Sequence, residues 1–104
     1  MNYAKIELVR HRGTVEVTLT GEFDLGTASL LVRDVQQRLD EGVRVFRVDL
    51  RNVSFLDSAG VKALLCCLRS VRAHGGRMLL TRPSSQVRKV FSALGFECFL
   101  VPAA

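Results

Sequence analysis

Residues 14–20, TVEVTLT, alternate without a break: Val15, Val17 and Leu19 fall on one side, Glu16, Thr18 and Thr20 on the other. A period of two is the pattern of a strand with one buried face, and no helix can present it. The stretch YAKIELVRHR just before it alternates more loosely and predicts an edge strand. Gly13 marks the tight turn between them, so the two strands form a hairpin. After an expected turn at Gly21-Glu22-Phe23-Asp24 the period changes. Ala28, Leu31, Val32, Val35 and Leu39 recur at helical spacing, with Thr27 as the expected N-cap and Gly42 as the stop.

The same alternation of periods continues to the C-terminus. VRVFRVDL is Val-rich and only partly alternating, as expected of a central strand. Residues 52–57 read as a loop leading to a second helix, whose apolar stripe is Val61, Leu64, Leu65, Leu68 and Val71 and which Gly75-Gly76 ends. RMLL predicts a short buried strand. Pro83-Ser84 opens a third helix with Val87, Val90, Phe91 and Leu94 inward and Gly95 as its stop, and ECFLV predicts a last strand. The order β-β-α-β-α-β-α-β predicts an α/β fold: a β-hairpin, then a mixed, mostly parallel central sheet with helices packed on it. The chain has 104 residues, enough for one domain, 1–104, and too few for two.

The net charge is +5, and twelve of the fifteen basic residues are Arg. They are spread from Arg10 to Arg88 among acidic residues, with no basic run, zinc-finger spacing or RNP-type aromatic signature. A nucleic-acid footprint is ordinarily clustered, so direct nucleic-acid binding is not expected. An acidic protein partner, steered by the charge, remains open beside a plain solvated surface. Three cysteines, Cys66, Cys67 and Cys98, fit neither a disulfide framework nor a metal spacing, and suggest a reducing compartment. No stretch approaches the roughly 20 apolar residues of a membrane span, and residues 1–10 hold no signal-peptide core. The expectation is a cytoplasmic protein with no membrane partner.

The chemistry-bearing stretch is VDLRNVSFLDSAGV, residues 48–61. A strand leads to Asp57-Ser58, where the second helix begins, and either residue can be its N-cap. Ala59 and Gly60 are small and leave the helix start open. One reading is structural: a cap, with Gly60 allowing close packing. The other is a modification site, because a kinase can reach a serine at an exposed helix start. Its phosphate would meet free N–H groups and the positive end of the helix dipole, against repulsion from Asp57.

LTGEFD, residues 19–24, followed by DLRNVSFLDSAG, residues 49–60, resembles the STAS family, named for sulfate transporters and anti-sigma factor antagonists. The match runs from Tyr3 to Val101, and the later GGRML and VRKVF follow the same pattern. The resemblance implies a STAS fold and a partner-switching role. The unphosphorylated chain would bind an anti-sigma factor, itself a serine kinase, and free the sigma factor. Phosphorylation at Ser58 would end that binding, and a PP2C-type phosphatase would reset it. The implied partner-binding face comprises Asp24, Ser54, Asp57, Ser58, Ala59 and Gly60. Many antagonists carry a second Ser or Thr after the modified serine; here it is Ala59. The alternative is a STAS binding module of a transporter or signalling scaffold without a phospho-switch.

Catalysis is not expected. A serine nucleophile needs a base within hydrogen-bond reach. His74 lies sixteen residues beyond Ser58, roughly 24 Å along a helix at about 1.5 Å per residue. His11 belongs to the hairpin turn. No phosphate-binding loop and no cofactor or metal motif occurs.

Overall fold

The computed structural model of the protein describes residues 4–101; Tyr3 lies outside them. The elements are β1 (Lys5–His11), β2 (Thr14–Phe23), α1 (Leu25–Asp40), β3 (Val45–Leu56), α2 (Ser58–Ala73), β4 (Arg77–Thr81) and α3 (Ser85–Ala93), then a 3-10 turn at Glu97–Phe99. The sheet order is β1-β2-β3-β4. β1 is antiparallel to β2, and the other two pairings are parallel. This is the mixed α/β sheet that the alternation of periods predicts.

The period-two pattern becomes one buried face. Val15 and Val17 of β2 pair with Phe46 and Val48 of β3, which pair with Met78 and Leu80 of β4, and all six are buried. Glu16 and Arg47, between them, are exposed on the opposite face. Ala28, Leu31, Val35 and Leu39 of α1, Val61, Leu64 and Val71 of α2, and Val87 and Phe91 of α3 join the same core cluster. Each fully buried Leu, Val or Phe side chain contributes about 1.5–3 kcal/mol. Val32 and Leu94, expected to face inward, lie instead at the solvent edge of their helices.

The strands run further than expected. Gly21 and Glu22 are not a turn: β2 continues through them to Phe23. Residues 52–56 are not a loop: β3 continues to Leu56. The register explains why. Thr18 pairs with Asp49 but Thr20 with Asn52, and Gly21 pairs with Val53 but Glu22 with Phe55. At each step β3 holds one residue more than β2, so the strand is bulged twice. Its buried residues therefore fall at 46, 48, 50, 53 and 56, and the spacing of three hides a strand from a period-two reading. Gly21, at φ 88°, takes a conformation that disfavours other residues.

Two local expectations change. The turn of the β1–β2 hairpin is Arg12-Gly13, and its left-handed residue is Arg12 (φ 60°). ECFLV forms no strand: residues 97–99 make the 3-10 turn, and Leu100 alone bridges to Leu80. β4 spans only five residues, so α3 takes its place along the upper half of β3. The Ser84 N–H donates to Leu50 O (3.2 Å), and Ser84 Oγ donates to Val53 O (2.7 Å).

Candidate functional site

β2 and β3 end level, with Phe23 paired to Leu56. The next residue in each chain segment is an aspartate, and each aspartate caps a 16-residue helix. Two helix N-termini thus stand side by side at the C-terminal edge of the two central strands. Asp24, not Thr27, is the N-cap of α1: its Oδ1 accepts the Thr27 N–H at 3.0 Å and the Thr27 hydroxyl at 3.1 Å. The backbone donor, then the hydroxyl, hold the Asp24 carboxyl below the ordinary carboxylate range. Thr27 sits at the third helical position because a cap accepts from donors two or three residues ahead.

Asp57 caps α2, its Oδ1 accepting the Gly60 N–H at 2.8 Å. Of the two candidate caps, Asp57 takes the role and Ser58 becomes the first helical residue. Ser58 is exposed, and its hydroxyl has no hydrogen-bond partner among the described residues. Ala59 is half-buried and Gly60 buried. A Cβ on Gly60 would lie 2.6 Å from Phe23 O and 2.7 Å from Leu56 Cδ1. α2 therefore begins pressed against the ends of both strands, and only glycine allows that approach.

Five of the six expected site residues, Asp24, Asp57, Ser58, Ala59 and Gly60, come together at this edge. Ser54 stands apart. It is exposed, but it is the extra residue of the second bulge of β3. The edge also carries apolar residues that sequence reasoning left out: Leu25 is 66% exposed and Phe55 42%. Leu25 directly follows the Asp24 cap, and an expected cap at Thr27 hid it outside the helix. On the other side Ser58 shares a groove of about 340 Å³ with Gln86, Lys89, Val90, Ala93 and Leu94 of α3 and its C-cap. Assigning Leu94 to the core concealed that groove.

Elsewhere the candidate reactive groups stay dispersed. His74 is the C-cap of α2, at the opposite end from Ser58, with Nδ1 2.8 Å from Ser70 O. Cys66 is exposed; Cys67 is buried, and burial first, with Cys66 beside it, pushes its thiol up to about 12. Among the described residues no group of three His, Cys, Asp or Glu gathers as a metal cluster, and no helix is long and apolar enough to cross a membrane.

The family model described as STAS domain matches residues 5–103. The chain belongs to the STAS family. This STAS domain is 32% identical over 100 residues to the anti-sigma F factor antagonist of Lysinibacillus sphaericus, a match covering 95% of this chain and 85% of the relative. Its fold is similar to that of the anti-sigma factor antagonist SpoIIAA in its unphosphorylated form, with a TM-score of 0.81 and 29% identity over 98% of this chain and 89% of that one. It is also similar to the Bacillus cell fate determinant SpoIIAA in the phosphorylated form, with a TM-score of 0.75 and 28% identity over 98% of this chain and 92% of that one.

Proposed function

We propose that this STAS domain is an anti-sigma factor antagonist whose binding is switched by phosphorylation of Ser58. The observation that carries the reading is the state of that serine. It is the first residue of α2, exposed, and released from capping because Asp57 does that work. A kinase can take its hydroxyl without opening the fold. The likeness to proteins named anti-sigma factor antagonists supplies the class of partner.

In this reading the unphosphorylated edge binds an anti-sigma factor in the cytoplasm through Asp24, Asp57, Ser58, Ala59 and Gly60, with Ser54 at its margin. The anti-sigma factor is a serine kinase. It transfers the γ-phosphoryl group of ATP to Ser58 Oγ: a new O–P bond forms, the bond to the ADP oxygen breaks, and the hydroxyl proton leaves to the kinase. The added charge of about −1.5 to −2 sits next to Asp57 and opposes the bound state. A PP2C-type phosphatase hydrolyses the ester and restores the hydroxyl. The chain itself is a regulatory binding protein, and its net charge of +5 favours approach to an acidic partner surface.

The test is intact-mass and peptide mass spectrometry after incubation with ATP, Mg²⁺ and the candidate kinase. One phosphate mapped to Ser58 and lost in Ser58→Ala supports the switch. A stable complex with another protein and no phosphate would replace it with a fixed binding module.

A further inference from the structure

α3 turns one stripe toward the start of α2. Gln86, Lys89, Val90 and Ala93 follow one another at the spacing that puts residues on one helix face, and with Leu94 and Ser58 they line a single groove. No carboxylate lines it. Its two polar side chains from α3 are an amide and an ammonium, which both donate hydrogen bonds. Lys89 makes no ion pair among the described residues, although Asp24, Asp57 and Glu22 all lie near this end of the sheet. The remaining walls are apolar, and a charge pair beside apolar surface is stronger than one in open water.

We infer that Lys89, assisted by Gln86, forms the receiving site for the phosphoryl group on Ser58, drawing it into the groove between α2 and α3. The inference rests on the reading of Ser58 as the phosphorylated residue. Other charged groups surround the site in different ways. Asp57 is turned to the Gly60 N–H. Asp24 is held by Thr27. Lys62, one turn along α2, lines the separate groove between α1 and α2. Arg88, beside Lys89, is exposed and is not part of the groove lining. Lys89 is the cation that the facing helix contributes. A phosphate held there covers the apolar mouth of the groove at Val90 and Leu94 as well as adding charge. One modification then removes a contact surface and introduces repulsion, with no backbone rearrangement.

The test is a ³¹P NMR titration of protein carrying phosphoserine at position 58, installed during translation so that no kinase is needed. An unperturbed phosphoserine has its second pKa near about 6. The parent is expected to titrate below that value. Lys89→Gln should raise it by about half a unit, a size suited to a partly screened opposite charge. Lys89→Arg should restore the parent value, and Lys62→Gln should leave it unchanged. The difference should shrink in about 0.5 M salt. Identical titrations of parent and Lys89→Gln overturn the site, and so does a shift that follows Lys62 instead. Either result leaves Ser58 phosphorylation standing, because that is read separately with the kinase; failure there with a clear Lys89 shift would overturn the switch and keep the groove.

Discussion

The two strand-to-helix junctions share one plan and differ at every side chain that matters. Phe23-Asp24-Leu25-Gly26-Thr27 and Leu56-Asp57-Ser58-Ala59-Gly60 both run from a paired strand end, through an aspartate cap, into a 16-residue helix. At the first helical position one junction exposes a leucine and the other a hydroxyl. At the third, one has a threonine whose hydroxyl ties the cap together, and the other has a bare glycine. The first junction is secured by side-chain hydrogen bonds at the surface. The second has one such bond, from the Gly60 N–H to Asp57, and is otherwise secured by packing beneath it. A junction held from below can leave its surface serine uncommitted, which is the condition for a covalent switch that does not unfold the domain.

The glycines give the widest split between the two. Gly60→Ala places a methyl against Phe23 O and Leu56 Cδ1 at distances real Cβ atoms do not adopt. We expect it to destabilise the domain by about 1–3 kcal/mol, the ordinary range for overpacking. Gly26→Ala meets only Asp24 Oδ1 at 3.6 Å, and should be neutral or stabilise by up to about 1 kcal/mol. Urea unfolding of both variants decides this. Equal stabilities would show that the second junction relaxes freely and that packing does not distinguish it.

The next effect is on binding rather than stability. Ser58→Ala should bind the anti-sigma partner as the unphosphorylated parent does, because its hydroxyl has no hydrogen-bond partner among the described residues to lose. Ser58→Glu should bind about tenfold more weakly, about 1.4 kcal/mol, while both variants unfold within about 0.5 kcal/mol of the parent. Titration calorimetry with the purified partner checks the pair. Full-strength binding by Ser58→Glu, together with a tight complex of the phosphorylated parent, would remove the switch from this junction.

Removing the Asp57 cap tests the division of labour. Asp57→Ala frees the Gly60 N–H at a buried helix start, and should cost about 1 kcal/mol by urea unfolding. Ser58 is next to it and can swing to cap. A cost near zero, with loss of kinase modification at Ser58, would show that the serine has been recruited as a substitute.

These junctions also mark how far the residues alone could be read. The strict alternation of Val15, Val17 and Leu19 and the helical spacing of Ala28, Leu31, Val35 and Leu39 carried the order of elements, because each side chain answers to one buried face. The upper half of β3 was not legible. Two bulges stretch the spacing of Leu50, Val53 and Leu56 to three, and residues 52–56 then resemble a loop. The last strand failed for the opposite reason: ECFLV has strand composition, but only Leu100 reaches β4. In the site, LDSAG located Asp57, Ser58 and Gly60 directly. Lys89 and Leu94 stayed hidden, since whether a helical residue faces core or groove depends on where α3 docks against β3.

The smallest expected difference concerns acid. In the folded chain the Thr27 N–H and hydroxyl favour the Asp24 carboxylate, so its pKa lies below the ordinary 3.8. A depressed folded pKa means a stability contribution that is complete above the ordinary value and is lost as pH falls through the folded one. Asp24→Asn caps without titrating. The stability gap between parent and Asp24→Asn should therefore be constant above pH about 5 and shift against the parent as pH falls to about 2. The shift will be modest, because an exposed carboxylate is screened by water and salt. Thr27→Ala keeps the backbone donor, the larger cause, and loses the hydroxyl. It should move the acid limb only part of the way toward that of Asp24→Asn. A Thr27→Ala limb that coincides with Asp24→Asn would mean that the hydroxyl, not the helix N–H, holds the charge at the first junction.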